Sequence, residues 1–182
     1  MAAWPTPMMK GQESWDAPAL SPDGSRISAV RLRPGGSELV VHDLEQDEDR
    51  VLALKESIVA PRWSPDGRLV AWSGSWRPDD LMSGGIWISP AEGGQPRRLS
   101  TDGAWPVWEP DGRHLLFLRF QEHKGIWRLP IDGGPARLVG GLEGELGGLF
   151  LEGIDIGRGG APLLLLLSTF TGEMYAFEPP DS

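Results

Sequence analysis

The sequence predicts an all-β protein built from about four repeated four-stranded antiparallel units, and three observations support this prediction. One turn recurs, as Ser21-Pro22-Asp23-Gly24, Ser64-Pro65-Asp66-Gly67 and Glu109-Pro110-Asp111-Gly112. Short runs of branched and aromatic residues flank each copy, as expected for strands. The 182 residues also include 25 Gly and 17 Pro, a composition typical of short strands joined by tight turns.

The recurring turn has a chemical explanation that requires no catalytic role. Proline presets φ to about −65° at the first corner, aspartate accepts hydrogen bonds from nearby backbone N–H groups, and glycine tolerates positive φ. We therefore interpret Asp23, Asp66 and Asp111 as turn residues rather than as acids, bases or cation ligands.

Each turn joins two predicted strands, and two more strands follow it. The strand before the turn begins with proline, and the strand after it begins with arginine. The predicted strands are 18–20, 26–30, 38–42 and 49–53 in the first unit, 61–63, 68–72, 85–89 and 96–100 in the second, and 106–108, 113–118, 125–129 and 135–139 in the third. Paired glycines suit the tight turns at 92–94 and 132–134.

The rest of the chain looks like a degenerate fourth unit. Residues 147–182 contain three apolar runs but neither the recurring turn nor a fourth strand. We therefore predict one repeat domain over 1–182, with units at approximately 12–55, 56–100, 101–140 and 141–182. Residues 1–11 would form a leader or a closing strand, which their prolines confine to a sheet edge.

The spacing of the repeat predicts the architecture. Ser21 and Ser64 lie 43 residues apart, and Ser64 and Glu109 lie 45 apart; a period in the forties is typical of a four-stranded β-propeller blade. Propellers remove exposed sheet edges by closing radially, usually with about four to eight blades. The chain could close as a narrow four-blade ring, or two chains could join as a homodimer into a larger ring.

Composition and charge exclude several function classes. The net charge of −9 and the pI near 4.8 disfavour binding to nucleic acid or to an anionic membrane surface. The chain has no cysteine, and His42, His114 and His123 lack zinc-ligand spacing, so we predict no metal site and no cofactor. The apolar run 163–167 is too short for a membrane span and no signal peptide is evident, so we expect a cytoplasmic protein.

Candidate binding residues lie at one end of the predicted blades. The loop between the second and third strands projects at the same end as the linker to the next blade, and the longest such loop is 73–84. Long loops on a rigid scaffold often carry function. The candidate residues are Arg62, Trp76, Arg77, Asp79, Asp80 and Trp105. Arginine among aromatic and acidic residues suits a protein or peptide contact; the alternative is a solvated loop with no binding role.

The pattern Pro-x-Trp-Ser-Pro-Asp-Gly-Arg-x-Val-Ala at 61–71, with its recurrence, resembles WD40-like SPDG propeller repeats. TolB-like proteins and the amino-terminal domains of prolyl-oligopeptidase-type serine peptidases share these repeats. The resemblance covers about residues 12–140. It implies blades that normally belong to rings of about six to eight, which favours the homodimer over a lone four-blade ring.

The resemblance brings no catalytic residues to this chain. In the peptidases the catalytic Ser, Asp and His lie in a separate α/β-hydrolase domain marked by a Gly-x-Ser-x-Gly elbow, a pattern that this sequence lacks. TolB-like proteins bind partner proteins. The sequence thus predicts a non-enzymatic module for protein binding or for self-assembly into a closed ring. The alternative is a propeller fragment or companion that gates a prolyl-oligopeptidase-type hydrolase supplied elsewhere.

Overall fold

The structure, a computed structural model, describes residues 14–75, 84–120, 124–141, 150–156, 163–168 and 174–175. All regular secondary structure in these ranges is β, which confirms the all-β prediction. The strands are β1 (Ser14–Leu20), β2 (Arg26–Arg33), β3 (Gly36–Asp43), β4 (Glu48–Lys55), β5 (Ser57–Trp63), β6 (Leu69–Ser75), β7 (Ile86–Pro90), β8 (Arg97–Arg98), β9 (Ala104–Trp108), β10 (His114–Arg119), β11 (Gly125–Pro130), β12 (Arg137–Gly141), β13 (Phe150–Ile156), β14 (Leu163–Ser168) and β15 (Met174–Tyr175). Within the described ranges, no helix has the length and apolar character that a membrane span needs.

The strands form four separate antiparallel sheets in chain order. Sheet 1 has the order β1-β2-β3-β4, sheet 2 β5-β6-β7-β8, sheet 3 β9-β10-β11-β12 and sheet 4 β13-β14-β15. Each strand pairs with its neighbour in sequence, so every sheet is a simple meander. The three four-stranded sheets match the predicted repeat. The number of blades in a closed ring and the homodimer stay predictions.

The recurring turn forms as its residues predict. In sheet 1 the N–H of Gly24 donates to the carbonyl of Ser21 at 2.9 Å, and Gly24 has a φ of 75°. Asp23 Oδ1 accepts hydrogen bonds from the Ser21 hydroxyl at 2.6 Å and from the Ser25 N–H at 3.0 Å. These hydrogen bonds lower the pKa of Asp23 to about 2. The aspartate therefore stabilises the turn in its ionised form.

Most strands differ in length from the prediction, and β1 and β8 show the two directions of the difference. β1 begins at Ser14 rather than at Pro18, with an irregularity between Asp16 and Ala19. The outer strand of sheet 2, predicted over 96–100, contains only Arg97 and Arg98. Its first predicted residue is Pro96, which has no N–H to donate to the ladder. Where a strand begins or ends therefore depends on single residues, such as a proline that cannot donate a backbone hydrogen bond.

Consecutive sheets pack face to face, and tryptophan joins them at the inner strands. We call the face of a sheet that meets the preceding sheet its leading face and the opposite one its trailing face. The indole N–H of Trp63 donates to the carbonyl of Ala19 in sheet 1 at 2.9 Å. The indole of Trp108 donates in the same way to the carbonyl of Arg62 in sheet 2 at 3.0 Å. The repeat thus carries an inter-sheet hydrogen bond at a fixed position.

Two apolar cores lie between the sheets. The core between sheets 1 and 2 includes Val30, Leu39, Val41, Trp63, Val70 and Trp72, and the core between sheets 2 and 3 includes Ala71, Ile86, Ile88, Trp108, Leu115 and Phe117. Trp72 is fully buried, stacks on Trp87 at 5.3 Å between ring centroids, and donates its indole N–H to Ser89 Oγ at 2.9 Å. Burial of such large side chains dominates the stability of the fold.

Candidate functional site

The meander topology gives each sheet two structurally distinct ends. The linker end holds the loops between second and third strands and the linkers between sheets, including residues 56 and 99–103. The turn end, opposite to it, holds the recurring turns and the connections between third and fourth strands. Of the predicted binding residues, Trp76, Arg77, Asp79 and Asp80 lie outside the described residues. Arg62 and Trp105 lie inside them.

Trp105 has an unusual backbone conformation at the linker end. Its φ is 52°, and Ala17 and Ala60, at the equivalent positions of β1 and β5, have φ values of 47° and 50°. The N–H of Trp105 donates to Ser73 Oγ of sheet 2 at 2.9 Å. Positive φ is strained for a residue with a side chain and costs about 1–3 kcal/mol. The repeat therefore holds an inner-strand residue in a strained conformation in each four-stranded sheet.

Trp105 contacts one aromatic ring, and an arginine–aspartate pair lies in the adjoining segments of sheet 3. Its ring meets the edge of Phe120 at 5.4 Å between centroids. The Arg119 guanidinium lies 4.1 Å from the centroid of Trp127 and pairs with Asp102 at 3.0 Å. Trp127 packs against the core between sheets 2 and 3, and we call Asp102, Trp105, Arg119 and Phe120 the linker-end cluster. Half-buried aromatic rings beside a paired arginine are typical of residues that dominate protein interfaces.

Arg62 serves the packing of the inner strands. Its carbonyl accepts the indole N–H of Trp108 at 3.0 Å, and its Nη1 donates to the carbonyl of Pro61 at 3.0 Å. Within the described residues, no hydrogen bond, ion pair or ring contact joins the Arg62 side chain to Trp105. The structure therefore does not unite these two predicted residues in one contact.

The sequence reasoning missed a second group, at the turn end of sheet 3. Arg128 donates to both carboxylate oxygens of Glu109, with nitrogen–oxygen distances of 2.6–3.0 Å. His114 Nδ1 lies 2.6 Å from Asp111 Oδ2 and 3.0 Å from Arg128 Nη2. We call Glu109, Asp111, His114 and Arg128 the turn-end cluster. All four side chains are partly shielded from solvent.

The electrostatics of the turn-end cluster favour ion pairing over cation binding. Glu109, Asp111 and His114 offer ligand atoms within 4.8 Å of one another, but the Arg128 guanidinium already bonds Glu109. The hydrogen bonds and charge of Glu109 raise the pKa of Arg128. Burial would raise the pKa of Asp111, but hydrogen bonds from the Arg113 N–H and from His114 lower it. A fixed positive charge at this place disfavours a metal cation.

The sequence does contain a sign of this cluster, because two residues of sheet 3 differ from the residues at the equivalent positions of the other units. Glu109 replaces the serine that begins the turn as Ser21 and Ser64 in the first two units. Arg128 stands where sheet 2 has the buried Ile88, since both pair with an arginine of the outer strand, Arg128 with Arg137 and Ile88 with Arg97. Two coordinated changes from serine and apolar residues to charged ones set sheet 3 apart.

Comparisons with known proteins agree with this architecture. A family model described as a TolB beta propeller domain matches residues 4–145. The chain is 30% identical over 119 residues to the Tol-Pal system protein TolB of Anaeromyxobacter dehalogenans, a match that covers 62% of this chain and 26% of that protein. It is 29% identical over 121 residues to the uncharacterized peptidase YuxL of Bacillus subtilis, covering 54% of this chain and 16% of that protein.

Solved structures show the same fold. The crystal structure of TolB from Acinetobacter baumannii has a TM-score of 0.65 and 17% identity, with 94% of this chain and 45% of that chain covered. An oligogalacturonate lyase in complex with manganese gives a TM-score of 0.67 and 14% identity, covering 96% of this chain and 56% of that one. This chain thus spans about a quarter or less of the two curated relatives and about half of these structures.

Proposed function

Because this chain belongs to the TolB beta propeller domain family, we propose that it is a non-enzymatic module that binds a protein partner at the linker end of its sheets. This membership confirms the resemblance seen in the sequence. The observation that carries the proposal is the contact between the Trp105 and Phe120 rings, together with the ion pair of Arg119 and Asp102, which lie one and three residues from these aromatics in sequence. Such a surface offers a partner apolar area and oriented charge together.

The backbone at Trp105 supports a binding role. The positive φ is a feature of the repeat, since Ala17 and Ala60 share it, but among the described four-stranded sheets sheet 3 alone places a large aromatic residue there. The hydrogen bond from the Trp105 N–H to Ser73 Oγ and the contact with Phe120 hold this residue from two sheets. The indole is thereby fixed before a partner arrives, which reduces the entropy lost on binding.

The test compares the full chain with a Trp105→Ala variant as affinity baits, with bound proteins identified by mass spectrometry. Leu44→Ala is the control, because Leu44 is an exposed apolar residue between β3 and β4, at the opposite end of the sheets. We expect at least one partner protein that the wild type and the control both retain. The Trp105→Ala variant should bind this protein at least about tenfold more weakly. A partner retained equally by all three would contradict the proposed surface. A hydrolase among the proteins lost with Trp105→Ala would favour the gating role.

A second candidate function is self-assembly into a closed ring as a homodimer. The observation that favours it is the leading face of sheet 1, where Leu20 and Leu54 are 60% and 65% exposed. At the position of Leu20, sheets 2 and 3 carry Trp63 and Trp108, which are buried against the preceding sheet. A sheet from a second copy would cover the exposed leucines of sheet 1.

Light scattering coupled to size-exclusion chromatography tests this assembly. A mass of twice 19.8 kDa that a Leu54→Glu variant reduces to that of one chain would support a ring closed through this face. A mass of one chain at every concentration would contradict it.

A further inference from the structure

Two cavities occupy the same position in two different sheets. The first, of about 370 Å³, lies at the turn end of sheet 1, and the second, of about 240 Å³, lies at the turn end of sheet 3. Four wall positions are equivalent by strand register. They are Arg26, Val41, Asp43 and Arg50 in the first cavity and His114, Arg128, Pro130 and Arg137 in the second. The chemical group bound in the first cavity therefore indicates which group the second cavity can bind.

The first cavity holds a carboxylate that the next sheet supplies. Glu92, in the tight turn between β7 and β8, pairs through Oε1 with Arg26 at 2.6 Å and through Oε2 with Arg50 at 2.9 Å. Two arginines of sheet 1 thus bind the two carboxylate oxygens of Glu92. Charge-assisted hydrogen bonds of this kind are the strong ones and fix orientation as well as position.

The junction between sheets 2 and 3 uses the same outer-strand position, but the acid equivalent to Glu92, Asp132, accepts a hydrogen bond from the Gly134 N–H of its own turn at 3.3 Å. Arg97, equivalent to Arg50, donates to the carbonyl of Ile131 in the tight turn of sheet 3. The other cationic position is filled by Leu69, which packs in the apolar core. In both junctions, an outer-strand arginine therefore holds the corresponding turn of the next sheet.

The second cavity keeps the arginine of the first and adds another. Arg137 is equivalent to Arg50 and Arg97, is exposed, and has no ion-pair partner in the part of the chain that the structure describes. Arg128 replaces Val41 and is held in place by Glu109, while His114 replaces Arg26. The cavity therefore presents two guanidinium groups and an imidazole around a space that receives a carboxylate in sheet 1.

We propose that this cavity of sheet 3 is a docking site for a protein partner that presents a glutamate or aspartate on a tight turn. The partner's carboxylate would bridge Arg137 and the Arg128–His114 side, as Glu92 bridges Arg50 and Arg26. Glu109 binds Arg128 through Nε and Nη2, so within the described residues Arg128 Nη1 and the Arg137 guanidinium remain for the partner's carboxylate. The site lies at the turn end, so its failure would leave the proposed function of the linker end untouched.

The experiment uses the turn of this protein as its probe. A peptide of sequence SPAEGGQ, copied from residues 89–95 and capped at both termini, carries a single carboxylate. It is titrated into the isotope-labelled full chain while backbone and arginine side-chain NMR signals are followed. We expect saturable shifts at His114, Arg128 and Arg137, and none with the amide peptide SPAQGGQ or with acetate at the same concentration, since acetate lacks the turn.

Two variants complete the test. Arg137→Gln should weaken binding of the acidic peptide by about tenfold, because it removes a charged hydrogen-bond donor. Arg113→Gln is the matched control, since Arg113 is exposed and does not line the cavity. Equal affinity of the acidic and amide peptides, equal loss in both variants, or shifts confined to Arg26 and Arg50 would each overturn the proposal. Unchanged spectra of the unbound variants elsewhere in the chain verify their folding.

Discussion

Sheet 1 and the two sheets that follow share one backbone plan but fill their leading faces differently. Three equivalent positions are aromatic in sheets 2 and 3 and aliphatic in sheet 1. They are Leu20, Ala29 and Val40 in sheet 1, Trp63, Trp72 and Trp87 in sheet 2, and Trp108, Phe117 and Trp127 in sheet 3. The aromatic rings lie in the cores between described sheets.

The leading face of sheet 1 carries ion pairs instead. Arg31 pairs with Glu38 at 2.7 Å, and His42 Nδ1 lies 2.9 Å from Asp49. Together with Arg33, which pairs with Glu38 at 3.3 Å, these side chains lie beside the buried Val40. No described sheet precedes sheet 1. Because the three four-stranded sheets share one backbone plan, side chains rather than backbone distinguish the leading face of sheet 1 from those of sheets 2 and 3.

The largest expected difference in stability is between two truncations, one on the leading face of sheet 2 and one on the leading face of sheet 1. Trp72→Ala should reduce the free energy of unfolding by about 3–5 kcal/mol, because it leaves a cavity and removes a stacked ring. Leu20→Ala should cost less than about 1 kcal/mol, because Leu20 is 60% exposed. Urea unfolding of both variants measures the difference. Similar losses would mean that sheet 1 buries its leading face as sheet 2 does.

The turn glycines provide a second test. Gly67→Val should lower the free energy of unfolding by about 1–2 kcal/mol, because Gly67 has a φ of 69° and β-branched residues tolerate this region poorly. A Cβ there would also lie 3.7 Å from Pro22 of sheet 1, whereas a Cβ at Gly24 meets nothing within 4 Å. Contact at 3.7 Å is ordinary van der Waals contact, so Gly24→Val, at a φ of 75°, should cost about as much, as thermal melts of both variants would measure.

Gly140→Ala is the control for these turn variants. A Cβ at Gly140 meets nothing within 4 Å, and its φ is not in the left-handed region, so its melting temperature should change little. An unchanged melting temperature for Gly67→Val would contradict the turn conformation described for sheet 2.

The inter-sheet hydrogen bond should have a smaller but measurable effect. Trp63→Phe keeps most of the buried ring but removes the N–H that donates to the Ala19 carbonyl, so we expect a loss of about 1 kcal/mol. Trp15→Phe makes the same chemical change on the leading face of sheet 1, where the Trp15 ring meets Arg31, and should cost less. Chemical denaturation of both variants measures the two losses in free energy of unfolding. A larger loss for Trp63→Phe would show that the inter-sheet hydrogen bond stabilises the leading face of sheet 2.

The smallest expected effect concerns the ion pairs of sheet 1 in acid. Burial would raise the pKa of Glu38, but hydrogen bonds from Arg31 and Arg33 lower it below 4.5. A lowered carboxylate pKa stabilises the fold above the unfolded value, and this contribution is lost as the pH falls through the folded pKa. The melting temperature should therefore decrease as the pH falls below 4.5, and less steeply in Glu38→Gln. Identical slopes would show that this ion pair does not stabilise sheet 1.

Much of the fold followed from local patterns in the sequence. The recurring turns were predicted because proline, aspartate and glycine restrict φ and bond the backbone within a few residues. The turn-end cluster could not be predicted in the same way. Glu109 and Arg128 lie 19 residues apart, and only the pairing of β10 with β11 brings them within bonding distance. Among the binding candidates, Trp105 was predicted from its linker position, but its strained φ and its contact with Phe120 depend on the fold.

The turns, the strands and the order of the units follow from the sequence, because neighbouring residues set backbone conformation and strand propensity. Which face of each sheet is buried, and which charged residues meet, depends on how the sheets pack against one another. The Trp63 indole finds its acceptor 44 residues away, and Glu92 binds Arg26 from 66 residues away. Such contacts require strand register and sheet stacking together, since a shift of one residue would turn each side chain to the opposite face.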